Sequence, residues 1–196
     1  MRAVLQRVTG ATVHVNDRLV SRIGPGIVAL IGIGVDDTVA DVAPLSQRIL
    51  HTKLWNEGLS TKDIPIPHQY QESESGQAEN IAVGDVPSSN ATDGVTRSEQ
   101  VWGGKPWKTN VMDLGGEILC ISQFTLHARL SKGTKPDFHK SMSGEGVRSI
   151  YSQLLERLGE LYQKDRIKDG AFGEMMQCSL TNDGPVTILI DTQEKK

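Results

Sequence analysis

Cysteine is scarce in this 196-residue chain, with only Cys120 and Cys178 present. Both sit in apolar, strand-like runs, which reads as buried free thiols and excludes a disulfide framework. Long hydrophobic runs are missing too. The most apolar stretch, residues 27–35, falls far short of the roughly 20 residues that cross a bilayer as a helix. No membrane association is expected. The opening residues, Met1-Arg2-Ala3-Val4-Leu5-Gln6-Arg7, lack the apolar centre of a secretory signal, so a reducing, cytoplasmic setting is expected. Positive charge is not in excess either: 21 Lys and Arg stand against 24 Asp and Glu, a net of -3. That excludes binding to nucleic acid through bulk charge, and any RNA contact must be local. Hydrophobic residues make up 37%, below the globular average, so part of the chain is expected to lie outside a packed core.

Common catalytic signatures are absent as well. There is no phosphate loop, no Gly-x-Ser-x-Gly elbow and no Cys-x-x-Cys pair. The five histidines, at 14, 51, 68, 127 and 139, show no metal-ligand spacing. His14 alternates with Val13 and Val15 and reads as one face of a strand. Neither a metal nor a cofactor is expected.

What is present reads as strands first. Residues 4–8, 12–15 and 19–23 are rich in β-branched types with polar residues interleaved. Asn16-Asp17 marks a turn, and Gly24-Pro25-Gly26 breaks the pattern again. Residues 27–33 form a continuous apolar run, as in a strand buried on both faces. Asp36-Asp37-Thr38 offers caps for a helix reaching about Leu54, with Pro44 imposing a late start or a kink. From about Glu57 the chain turns polar and poor in large apolar side chains. The chain is read as a single domain, 1–196, interrupted at about 59–104 by a polar, disordered insertion. Residues 117–126 predict a strong strand. Ser143 is a candidate cap for a helix from Gly144 to about Lys164, whose apolar positions 147, 150, 151, 154, 158, 161 and 162 have helical spacing. Two strands, 175–180 and 186–191, close the chain. The fold class is α+β, a mainly antiparallel or mixed β-sheet covered by two main helices.

Two short segments carry the chemistry. Ser122-Gln123-Phe124-Thr125-Leu126 ends a strand; by itself it is ordinary strand composition, with Phe124 in the core. Asn182-Asp183-Gly184-Pro185-Val186-Thr187 is by itself a turn. In this order and at this separation the pair resembles the motifs of the D-aminoacyl-tRNA deacylases. Gln6-Arg7-Val8 at the start, Gly133-x-x-Pro136-x-Phe138 after the first motif and Phe172-Gly173-x-x-Met176 before the second agree with that resemblance. It covers residues 1 to about 58 and about 105 to 191. The insertion departs from the family's compact form.

The resemblance implies a homodimer with active sites at the subunit interface, acting on the aminoacylated 3′ end of tRNA and hydrolysing its D-aminoacyl ester. It implies a cis peptide at Gly184-Pro185, the common place for one. Main-chain atoms there would hold the α-ammonium and exclude L residues by collision with Cβ, leaving glycyl-tRNA as a second substrate. Backbone N–H groups around Phe124 and Thr125 would polarise the ester carbonyl, with Ser122 and Gln123 shaping the site. The 2′-hydroxyl of the terminal ribose would assist. Thr125 is not read as a nucleophile, because no adjacent base is supplied. Phe172 and Met176 would line the pocket near the terminal adenosine, and Arg7 would fix the Gly-Pro motif across the interface. Arg129, Lys132, Lys135 and Lys140 form a cluster able to meet acceptor-stem phosphates. Three rival readings fit the residues less well. An enzyme removing L-alanine from a threonine tRNA has a different first motif. A non-enzymatic nucleic-acid binder would gain positive charge. A generic esterase needs a Ser/His/Asp arrangement.

Overall fold

The structure is a computed structural model that describes residues 1–71, 106–131 and 133–194. Its centre is strand β1, Arg2–Val15. Along one edge β1 pairs antiparallel first with β3, Gly26–Gly32, and then with β2, Arg18–Ile23. Along the other edge it pairs antiparallel with β8, Gln177–Asp191. Beyond β3 the sheet continues with β6, Glu117–Ser122, and β7, Ile167–Asp169, both parallel to their neighbours. A short pair, β4 (Trp55–Asn56) with β5 (Trp107–Thr109), stands apart. Among the described residues three α-helices complete the fold: α1, Val42–His51; α2, Val111–Leu114; and α3, Glu145–Leu161. The mixed sheet with few helices bears out the α+β class.

Alternation along the strands builds the core on both sheet faces. Ile27, Ala29 and Ile31 of β3 and Ile118 and Cys120 of β6 face Leu45, Ile49 and Leu50 of α1 and Leu154 and Leu158 of α3. The intervening Val28, Leu119 and Ile121 join Val8, Ala11, Val13 and Ile23 in a second cluster. Continuous apolar runs at β3 and β6 therefore follow from burial on two sides. Each fully buried Leu or Ile contributes about 1.5–3 kcal/mol.

Several expectations need correction. The runs 4–8 and 12–15 belong to one strand. Gly10 between them is no break; it is where the Tyr70 ring lies against the strand, and a Cβ there would stand 2.5 Å from Tyr70 Cδ2. The two closing strands are likewise one. Asn16 and Asp17 do turn the chain, both at positive φ (49° and 62°) between paired Val15 and Arg18, as a two-residue hairpin requires. Helix α1 starts late, after a 3-10 turn at Val39–Asp41, so Pro44 sits in its first turn where its missing N–H costs nothing. α3 is capped by Gly144 rather than Ser143. Cys120 is buried, but Cys178 is exposed.

Residues 59–71 of the expected insertion lie among the described residues. Two 3-10 turns, Thr61–Asp63 and His68–Tyr70, occupy its first part, the former closed by a capping box from Ser60. Ile64 and Tyr70 are buried, 8% and 4% exposed. The stretch 72–104 of that expectation lies outside the described residues.

Candidate active site

Parallel strands β6 and β7 end side by side, and the segments that leave their carboxyl ends carry two of the three groups of candidate residues. Open sheets place ligands at such ends because the chain turns outward there. β6 stops at Ser122 as Gln123 N–H donates to the Ile31 carbonyl at 2.7 Å. Residues Phe124–His127 then form a 3-10 turn. This corrects the expected strand to 126 and the expected core position of Phe124, whose residue is 56% exposed. In the turn, Leu126 N–H donates to the Gln123 carbonyl (3.3 Å) and Ala128 N–H to the Thr125 carbonyl (2.9 Å). Among the described residues no acceptor takes the N–H of Phe124 or Thr125. These are the orphan donors that open any helical turn. The Ser141 hydroxyl donates to the Phe124 carbonyl at 2.8 Å, fixing the peptide plane from outside. Gln123 Nε2 donates to Thr125 Oγ at 2.6 Å. That neighbour is no base, so the threonine is held rather than activated.

Phe124 also meets Phe138 edge to face, ring centroids 5.0 Å apart. The two rings, with Ser141, Met142 and Val35, line a cavity of about 1030 Å³ rimmed by Arg129 and Lys135. Phe138 and Ser141 were not singled out as site residues. A phenylalanine in a polar loop was the available signal, because an aromatic without a helical or strand pattern around it has no core to join.

The second group lies on β8. Asn182 faces Val8 and Thr187 faces Gln6, so residues 183–186 bulge out of the ladder opposite Arg7. Asn182 closes the bulge, accepting from Val186 N–H at 2.8 Å and donating to Thr187 Oγ at 3.0 Å. The Gly184-Pro185 peptide is cis. Gly184 has φ 122°, and a Cβ there would lie 2.7 Å from Val186 Cγ2 and 3.2 Å from Arg7 Nη2. No other residue fits that backbone without strain. Arg7 grips the bulge: Nε donates to the Asp183 carbonyl at 3.2 Å and pairs with its carboxylate at 2.9 Å, while Nη1 donates to the Leu54 carbonyl at 2.5 Å. The guanidinium lies over the Trp107 ring, 5.4 Å from its centroid. Burial pulls Arg7 below its ordinary pKa and Asp183 opposes the shift. Arg7 was expected to hold the Gly-Pro motif across an interface; within this chain it holds its own.

The third group is the loop between β7 and β8. Phe172 packs against Tyr151 of α3, centroids 5.2 Å apart, with the Arg148 guanidinium 4.7 Å above its ring. Tyr151 is anchored in turn, its hydroxyl donating to Asp169 at 2.5 Å. Burial pushes the Asp169 carboxyl above its ordinary range. Met176 turns inward, its sulfur accepting from Ala171 N–H at 3.2 Å, whereas Met175 stands 88% exposed. Among the described residues no hydrogen bond joins 184–185 to 122–125, and Gly184 and Pro185 line neither cavity beside the first motif. No cluster of three or more metal-binding side chains occurs among the described residues, and no helix there is long and apolar enough to cross a membrane. Lys132 of the basic cluster lies outside the described residues.

Comparison with known proteins places these features in context. The sequence model of a family described as D-Tyr-tRNA(Tyr) deacylase matches residues 4–67 and 95–191, passing over 68–94. A D-aminoacyl-tRNA deacylase of Schizosaccharomyces pombe is 42% identical over 194 residues, covering 99% of this chain and 100% of the relative. One from Drosophila melanogaster is 40% identical, covering 100% of this chain and 95% of the relative. Among solved structures, a c-Myc DNA Unwinding Element Binding Protein superimposes with TM-score 0.71 at 34% identity, covering 97% of this chain and 98% of that one. A probable eukaryotic D-amino acid tRNA deacylase, 16% identical, shares the fold with TM-score 0.62 over 96% of this chain and 97% of its own.

Proposed function

Because this chain belongs to the D-Tyr-tRNA(Tyr) deacylase family and is a hydrolase of D-aminoacyl-tRNA, we propose that it cleaves the ester with main-chain groups, in a site shared between two copies of itself. The observation that carries this reading is the pair of unclaimed N–H donors at Phe124 and Thr125, opening beside the Phe124–Phe138 cavity. In the transition state the ester carbonyl oxygen becomes an oxyanion, and donors already fixed in place stabilise it without reorganisation. Water adds to the carbonyl carbon, the bond to the ribose oxygen breaks, and that oxygen leaves as a hydroxyl. The neighbouring 2′-hydroxyl relays the proton. Thr125 and Gln123 position the turn, and Ser122 fixes where it begins.

Gly184-Pro185 of one protomer completes the site of its partner. Gly184 and Pro185 are exposed on a bulge gripped by Arg7, yet within one chain they make no hydrogen bond to the first motif. β8 also pairs only with β1 among the described residues, leaving an open edge along 15 residues, with Leu189 65% exposed. Edges of that length are usually covered. The bulge carbonyls accept from the substrate α-ammonium, a D side chain points outward, and an L side chain meets backbone. Phe172 and Met176 sit on the loop nearest the terminal adenosine. Glycyl-tRNA, with no side chain to reject, is a second substrate. The compartment is the cytoplasm.

The test is single-turnover deacylation of matched D-tyrosyl-, L-tyrosyl- and glycyl-tRNA. Loss of the D and glycyl esters with the L ester spared is the expected outcome; equal cleavage of D and L esters would sink selection by main chain. A second reading, binding of DNA, follows from the name of the solved relative that is 34% identical. Against it stands the net charge of -3, where duplex binders carry a basic surface.

A further inference from the structure

The Gly184-Pro185 bulge is held from outside its own strand by one side chain. Among the described residues, Arg7 is the only side chain of another element that hydrogen-bonds or ion-pairs with residues 183–186, through Nε to the Asp183 carbonyl and carboxylate. Its Nη1 donates to the Leu54 carbonyl at 2.5 Å. Guanidinium N–H groups donate in the plane of the group. Bonds at two of its nitrogens therefore leave it free to rock about the line between its anchors. A flat surface against one face removes that freedom. The Trp107 ring stands there, its centroid 5.4 Å from the guanidinium carbon. That is within reach of a cation–π attraction, which is strongest where the cation has lost its water. The Arg7 side chain is only 13% exposed.

Trp107 is itself placed by a local frame. β4 and β5 pair antiparallel, Trp55 with Thr109 and Asn56 with Trp107. Leu54 N–H donates to the Thr109 carbonyl at 3.1 Å, and the Thr109 hydroxyl donates to the Asn56 carbonyl at 2.9 Å. Lys108, next along β5, pairs with Glu57 at 3.2 Å. The Leu54 carbonyl and the Trp107 ring, which meet Arg7 from two directions, are thus tied to one frame. Trp107 is exposed and belongs to neither buried cluster. Its large ring adds nothing to the core, and its place over a buried cation gives it a use that core packing does not.

We propose that Trp107 is a positioning residue for chiral selection: its ring holds the Arg7 guanidinium in place, and Arg7 thereby fixes the bulge that meets the substrate. The inference rests on the reading of Gly184-Pro185 as the group that takes the α-ammonium and turns away L residues. Rejection by collision works only if the backbone that is struck does not yield. A loosened bulge holds the ammonium less tightly in the ground state and the transition state alike. The cost then falls on KM and leaves kcat near its wild-type value. The same loosening makes room for an L side chain, so the L ester loses part of its protection.

The experiment compares Trp107→Leu, which keeps apolar bulk without a π face, with Trp107→Phe, which keeps the face. Two readouts are taken. One is hydrogen exchange at the Val186 amide, whose bond to Asn182 closes the bulge. The other is steady-state cleavage of D-tyrosyl- and L-tyrosyl-tRNA. In Trp107→Leu, exchange should quicken and KM for the D ester should rise, each by about tenfold, the scale of a cation–π contact with a desolvated guanidinium. kcat should hold, and cleavage of the L ester should increase. Trp107→Phe should bring both readouts back to within about threefold of wild type. Either readout unmoved in Trp107→Leu would overturn the inference, and so would a phenylalanine no better than leucine. Gly184→Ala separates the underlying reading. Wild-type kinetics there would sink the bulge as the selecting group, whereas damage there beside an unaffected Trp107→Leu would sink only the role of Trp107.

Discussion

A threonine hydroxyl bound by a glutamine amide is a positioned group, and Thr125 makes the sharpest case at the level of single residues. Gln123 donates to its oxygen at 2.6 Å, and no base adjoins it. Thr125→Ala should therefore lower kcat for D-tyrosyl-tRNA by less than about tenfold, the loss of one orienting hydrogen bond; a collapse to the uncatalysed rate would make the hydroxyl a nucleophile after all. Gly184→Ala should act far more strongly. The added methyl meets Val186 and Arg7 at φ 122°, and a shift of the bulge by an ångström is worth about a hundredfold in kcat/KM. His127 gives a pH prediction. Burial first, with smaller effects of Arg2 and the α-ammonium, lowers its pKa below 6.5, against the Gly32 carbonyl and Asp37, which raise it. A depressed folded value means the unfolded chain binds the proton more tightly. This contribution is full above about pH 6.5 and is lost as pH falls through the folded value. Chemical denaturation from pH 7.5 downward should show that loss, and His127→Asn should flatten it.

Elements decide where those residues can stand. The bulge at 183–186 exists because β8 pairs with β1 on both sides of it, so two antiparallel ladders clamp one short irregular segment. Conserving the ladder while displacing four residues re-aims the chain outward, the general use of bulges. The turn at Tyr70 has a comparable role for β1: its ring covers Gly10 and is 4% exposed. Tyr70→Ala should cost about 3 kcal/mol in urea unfolding, near the value for removing a buried aromatic. A loss below about 0.5 kcal/mol would mean that the turn at His68–Tyr70 is dispensable. α3 supports the site at a distance, through Tyr151 against Phe172 and onto Asp169.

At the scale of the whole molecule, a site divided between copies has a distinctive signature. Gly184→Ala and Phe124→Ala protomers damage different halves of each site. Mixed, unfolded and refolded together, half the dimers should pair the two kinds, and each such dimer holds one intact site. About a quarter of wild-type activity is then expected on top of what the two impaired parents retain. No recovery, or a mass in solution of one chain, would place the complete site within a single protomer.

Sequence alone determined the elements whose signals are local. The Asn16-Asp17 hairpin, the apolar periodicity of α3, the two-sided run of β3, the start of β6 and both motifs were legible because turn chemistry and burial pattern are written within a few neighbouring residues. Resemblance then supplied the chemistry and the family. What sequence did not carry was set by contacts between distant segments. Nothing in the residues around Gly10 announces the Tyr70 ring that lies on it. Residues 59–71 looked like polar spacer, because two buried side chains hardly change the composition of a stretch. The outward turn of Phe124, the grip of Arg7 on its own bulge, and the place of Trp107 over that arginine all depend on which strands lie side by side. Those distances belong to the sheet order, and only the tertiary structure decides it.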